Sequence, residues 1–194
     1  MTQSALRDIV KTYDVRGLVA TQLTPEVARA LGAAFVHEVS LPGNAVVVGH
    51  DMRDSSPGLA KAFGEGVRSQ GGHIRSIGLC STDMVYYASG TWGLPAVMIT
   101  ASHNPATYNG FKFSRAGAQG ISLDTGLADI RDRAERFLSG SEAYGALTGD
   151  ESTTDVLADY AAYLRELVPV AGDRALTVVV DAANGMAGHT VPAV

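Results

Sequence analysis

Cysteine is almost missing: Cys80 stands alone among 194 residues. A single thiol excludes an intramolecular disulfide and the paired-cysteine zinc motifs, and makes a reducing, cytoplasmic setting the simplest expectation. A basic excess is missing as well. Fifteen Lys and Arg against 20 Asp and Glu give a net charge of -5, which leaves no footprint for nucleic acid or an anionic membrane surface, so any anion site has to be local. No apolar run approaches a membrane span, and residues 1–10 carry polar and charged side chains where a secretory signal needs an apolar core. Neither a nucleic-acid nor a membrane partner is expected. Internal repeats and low-complexity stretches are absent too.

What is present suits a packed globular protein, with 46% hydrophobic and 18% charged residues. Thr24-Pro25 offers an N-cap and a proline at the first helical position, and Val27, Leu31 and Phe35 follow at helical spacing, which predicts a helix over 25–39. Pro42-Gly43-Asn44 breaks the chain. Residues 45–49 form a short continuous apolar run of the kind buried on both faces of a sheet. Ser56-Pro57 repeats the cap-and-proline signal, with Leu59, Phe63 and Val67 on one face of a second helix that Gly71-Gly72 stops. A strand over 74–79, a helix over 82–89 and a strand over 96–99 continue the alternation, and 110–114 is strand-like. The expected fold is therefore α/β, a mainly parallel sheet with helices on both faces.

A helix over 123–138 follows, with Leu127, Ile130, Ala134 and Phe137 inward and its charges on a solvated face. Residues 139–152, rich in Gly, Ser and Thr, read as a domain boundary, giving one unit over 1–150 and a second over 151–194. The second starts with a linker helix over 154–167 and a buried-type strand over 176–180, the first strand of a similar domain. It is too short to bury its own core, so the chain reads as a fragment.

In such sheets ligands gather at the carboxyl ends of strands, where 50–54 and 100–105 should share one rim. Ser102 is followed by His103 and Asn104 and held by Pro105, so a weak hydroxyl has a base candidate beside it. Adjacent residues on a strand point to opposite sides, so both side chains reach one cleft only if the chain leaves strand geometry there. A serine hydrolase requires Gly-x-Ser-x-Gly, but Thr100 and Asn104 flank the serine here. No GxxxxGK[ST] occurs, and Gly64-Glu65-Gly66 lacks the third glycine of a dinucleotide turn. A non-catalytic phosphate-binding or assembly module stays open as an alternative. For Asp51 and Arg53 an ion pair that braces the loop is favoured over contact with a substrate.

Thr100-Ala101-Ser102-His103-Asn104-Pro105 resembles the phosphoserine loop of the α-D-phosphohexomutases, the phosphomannomutase and phosphoglucomutase superfamily. Three more segments match in order. Lys11-Thr12-Tyr13-Asp14-Val15-Arg16-Gly17 is similar to that family's YDxRG loop, Tyr108-Asn109-Gly110-Phe111-Lys112 to its YNGFK segment, and residues 180–188 to the opening of its second domain. His50 stands where the family usually carries the arginine of Gly-Arg-Asp.

The resemblance implies an isomerase that interconverts hexose 6-phosphate and hexose 1-phosphate, of mannose or glucose, through a phosphoserine and a bisphosphorylated sugar. Ser102 would carry the phosphoryl group, with His103 moving a proton and Arg16 and Lys112 offsetting charge. Tyr13 and Asn104 would contact substrate, or else serve core packing and turn stabilisation respectively. Mg²⁺ would be held by the phosphoserine oxygen and by three aspartates of a DGDxDR loop that this chain lacks, and glucose or mannose 1,6-bisphosphate would act as activator. The missing domains of the same protein would be its partners, and the fragment alone would be inactive.

Overall fold

The computed structural model describes residues 5–40, 43–169 and 175–194; the break expected at Pro42 lies outside them. Val46-Val47-Val48 offers no polar face to water, so it needs cover on both sides. All three valines are buried in β2 (Ala45–His50), the centre of the sheet. β3 (His73–Leu79) and β4 (Ala96–Ile99) flank β2 in parallel, and β7 (Glu151–Thr153) extends the parallel array beyond β3. On the other side β5 (Tyr108–Arg115) runs antiparallel to β4, to β1 (Val15–Leu18) and to the short β6 (Gln119–Gly120). The parallel array is thus the core of the sheet and the β5 edge departs from it, because the link from Ile99 to Tyr108 is too short for the crossover that a parallel pair requires.

Helices cover both faces, as expected. α2 (Pro25–Phe35), α3 (Ser56–Ser69) and α5 (Leu127–Ser139) bury Phe35, Phe63, Leu31 and Ile130 against Val46, Val48, Phe111 and Phe113. α4 (Thr82–Trp92) packs Met84 and Val85 on the opposite face against Val47 and Met98, with α6 (Leu157–Leu167) beside it through Tyr160 and Tyr87. The shorter α1 (Ala5–Ile9) precedes β1. At the crossing of α2 and α3 a Cβ on Gly32 would meet the Phe63 carbonyl oxygen at 2.1 Å, and one on Gly66 would meet that of Arg29 at 2.0 Å. Only glycine permits this approach of two backbones.

Several boundaries differ from expectation for identifiable reasons. The helix over 25–39 becomes a π turn at Val36–Ser40. The helix expected from 123 begins as a 3-10 turn, Leu123–Thr125, and restarts after Gly126 at φ 130°. Its inward residues Leu127, Ile130, Ala134 and Phe137 are all buried. Along residues 139–152, Gly145 donates to the Ser69 carbonyl and Thr148 to that of Arg68 at the end of α3, and Arg68 Nε donates to the Gly149 carbonyl over 2.7 Å. The strand expected over 176–180 pairs with no strand among the described residues, and Val179 is 90% exposed. A strand is completed by its neighbours' N–H and C=O groups, and no strand among the described residues lies alongside it. One helical turn, α7 (Ala187–Thr190), follows.

Candidate functional site

Parallel pairing of β2 with β4 delivers both strand ends to one rim, where the Asp51 N–H donates to the Ile99 carbonyl over 3.0 Å. The 50–54 and 100–105 loops meet there. Asp51 is only 4% exposed, and its carboxylate is saturated. Oδ1 accepts from Ser56 Oγ at 2.6 Å and from the Arg53 N–H at 3.1 Å; Oδ2 accepts from Thr100 Oγ1 at 2.7 Å and from Arg53 Nε at 3.2 Å. A buried carboxylate persists only with such partners. Ser56, read from the sequence as a helix cap, turns its hydroxyl to Asp51 instead, and Ser55 makes no side-chain cap bond.

Thr100 passes the order on. Its Oγ1 accepts the N–H of Ser102 at 3.0 Å, and Ser102 sits at φ 52°, in the left-handed region. For a residue with a Cβ this conformation costs on the order of 1 kcal/mol and persists only where its surroundings impose it. The chain therefore leaves strand geometry at Ser102, as the cleft requires. Ser102 and His103 are both exposed, with Oγ 3.4 Å from His103 Nδ1. His50, in the place of the resembling family's arginine, donates from Nδ1 to the Asp51 carbonyl at 2.9 Å.

Arg53 braces this loop, in line with the sequence reading. Its side chain is 10% exposed, and Nη1 and Nη2 donate to the carbonyls of Pro105, Tyr108, Ser102 and Asn104 at 2.8–3.0 Å. Arg16 lies in an ion pair with Asp14 at 2.6 Å and also donates to Asn104 Oδ1. Ser102, His103, Asn104 and Arg53 line a cavity of about 910 Å³, whose wall also includes Met52 and residues 182–185.

Three sequence candidates, Arg16, Lys112 and Tyr13, stand apart from that lining, Arg16 reaching it only through Asn104. Lys112 lies inside β5 opposite Met98, and Tyr13 precedes β1. Tyr13 is 70% exposed, so the core-packing reading for it is overturned: the turn before β1 carries it away from the interior. Sequence reasoning missed Asn109, which is fully buried and donates to Ser55 Oγ and Ser56 Oγ while accepting from the Gly110 N–H. An asparagine inside an apolar strand was its one signal. Among the described residues no three His, Cys, Asp or Glu side chains gather into a metal-holding group. Asp51 and Asp14 are committed to their partners, whereas the exposed Ser102 oxygen and the exposed Asp54 carboxylate, both in the cavity lining, are oxygen donors of the kind a hard cation takes.

A family profile described as phosphoglucomutase/phosphomannomutase, alpha/beta/alpha domain I, matches residues 7–137. The chain belongs to this family. The phosphohexose mutases of Xanthomonas campestris pv. campestris (strain B100) are 41% identical over 183 residues, covering 93% of this chain and 40% of the relative. An Escherichia coli phosphomannomutase is 37% identical with the same coverage. A crystal structure of a phosphoglucomutase/phosphomannomutase family protein from Burkholderia thailandensis superposes with a TM-score of 0.81 at 33% identity, over 99% of this chain and 41% of that one. The chain thus spans about two-fifths of the length of these relatives. The family's domain I, as matched here, runs from α1 into α5 and contains both rim loops.

Proposed function

We propose that this chain is the phosphoryl-carrying part of a phosphohexomutase that interconverts hexose 6-phosphate and hexose 1-phosphate, of mannose or glucose. The observation that carries the reading is Ser102, exposed at the rim of the cavity in a left-handed turn with its hydroxyl 3.4 Å from His103 Nδ1. Such a contact is long for proton transfer but tightens readily once substrate is bound.

His103 takes the proton of the Ser102 hydroxyl as Oγ attacks a phosphorus of the bisphosphorylated sugar. The new bond is Oγ–P, the bond that breaks joins phosphorus to the sugar oxygen, and the imidazolium returns its proton to that oxygen. The reverse step places the phosphoryl group on the other hydroxyl. Arg16 next to Asn104 offsets charge at the loop, and Asn104 and Tyr13 contact the sugar phosphate. Lys112 contributes from within the sheet as a positive charge. Ser102, once phosphorylated, offers an oxygen suited to Mg²⁺, and that ion when bound neutralises charge that builds up during phosphoryl transfer. Glucose or mannose 1,6-bisphosphate is the activator, and a reducing cytoplasm the setting.

The test is intact-mass analysis of the full-length enzyme after incubation with glucose 1,6-bisphosphate. One added phosphate on the native protein and none on Ser102→Ala, with turnover lost in that variant, is the expected result. Normal mutase activity in Ser102→Ala overturns the reading. Residues 1–194 by themselves should show no mutase turnover.

A further inference from the structure

We infer that Thr100 and Arg53 are positioning residues for phosphoryl transfer at Ser102, a role that rests on the reading of Ser102 as the phosphoryl carrier. All five N–H groups of the Arg53 guanidinium are committed: Nε to Asp51 Oδ2, Nη1 to the carbonyls of Pro105 and Tyr108, and Nη2 to those of Ser102 and Asn104. No donor is left for a substrate phosphate, so Arg53 acts on the chemistry through the loop. Four carbonyls spread over residues 102–108 converge on one planar cation, which sets the loop's curvature from below.

Thr100 supplies the other half of the grip. Its hydroxyl donates to Asp51 Oδ2 and accepts the Ser102 N–H, so the carboxylate buried at the end of β2 orients the peptide that precedes the nucleophile. The same carboxylate anchors Arg53 Nε. Ser102 is therefore held through its N–H by Thr100 and through its carbonyl by Arg53, with Asp51 behind both. Two points of restraint on one residue keep its φ at 52° and its Oγ toward His103. A hydroxyl misplaced by about 1 Å loses roughly a hundredfold in rate, whereas sugar-phosphate affinity, which does not depend on Oγ, is kept.

The experiment measures the rate of phosphate uptake at Ser102 from glucose 1,6-bisphosphate, with steady-state kcat and KM and melting temperature, in the full-length native enzyme and in Thr100→Val, Thr100→Ser and Arg53→Lys. Thr100→Val removes the hydroxyl, Thr100→Ser restores it, and Arg53→Lys keeps the charge but offers three donors. Uptake and kcat are expected to fall tenfold to a hundredfold in Thr100→Val and Arg53→Lys, to stay within about threefold in Thr100→Ser, and KM to hold within about twofold. Native rates in folded Thr100→Val or Arg53→Lys overturn the inference. So does a loss that merely follows melting temperature, with Thr100→Ser as slow as Thr100→Val. Should Thr100→Val fail to fold, Arg53→Lys decides by the same criteria. If the native enzyme takes up no phosphate at all, the reading of Ser102 itself fails, and the inference with it.

Discussion

Arg16 donates through Nη1 to the side-chain oxygen of Asn104, tying β1 to the Ser102 loop across 88 positions of sequence. Asp14 holds the other end of the guanidinium at 2.6 Å. Its Nε is buried with no partner among the described residues. A lysine at this place can reach one of the two oxygens but cannot fork between them. Arg16→Lys is expected to slow phosphate uptake at Ser102 by about tenfold with little change in melting temperature. Native uptake in that variant would show that the fork is dispensable.

His103 is exposed beside Ser102 Oγ and belongs to no core cluster. Replacing it should therefore affect rate and leave folding alone. His103→Ala is expected to lower kcat of the full-length enzyme by roughly a hundredfold or more, with a denaturation midpoint close to native. A kcat within twofold of native would remove His103 from the proton path.

Gly110 lies where β5 is wedged between two strands. A Cβ there would meet the Val15 carbonyl oxygen at 2.2 Å and that of Thr100 at 3.0 Å, both backbone atoms that cannot swing away. Gly110→Ala is expected to cost about 3 kcal/mol in urea denaturation. Gly58, in the first turn of α3, has nothing within 4 Å of its Cβ position. Gly58→Ala should instead stabilise by about 0.5 kcal/mol, since alanine is the better helix former.

Cys80 is buried beside Met98, and burial pushes its thiol from 9.0 up to about 12. In the folded protein it should resist thiol reagents at pH 8 until urea exposes it. Between pH 9 and 12 the unfolded chain releases this proton and the folded one keeps it, so stability falls as pH rises through that window. The urea midpoint is expected to drop between pH 8 and pH 10 by more in the native protein than in Cys80→Ala. An equal drop in both would assign the alkaline loss to other groups.

The elements themselves were legible because their causes are local. Three valines in a row, a threonine before Pro25 and leucine-phenylalanine spacing along α3 each act within a few residues, and the structure follows them closely. The brace of Asp51 on Arg53 was legible too, since the two lie two positions apart. Ser56 misled because a serine before a proline caps a helix in isolation. Only the arrival of Asp51 and Asn109 redirects its hydroxyl.

By itself the sequence determined the parallel array, the rim on which two loops meet, and Ser102 with His103 as the pair that could react; hydrophobic period, turn chemistry and adjacency suffice for these. Tertiary structure decided the rest. That β5 docks between β4 and β1 is decided only when the strands come together, and residues 176–180 have no ladder because no strand among the described residues lies beside them. The left-handed turn of Ser102 depends on an arginine 49 positions earlier and on a buried carboxylate beside it. Such long-range hydrogen bonds leave no periodic or local trace in the chain, because their partners are brought together only when the strands align.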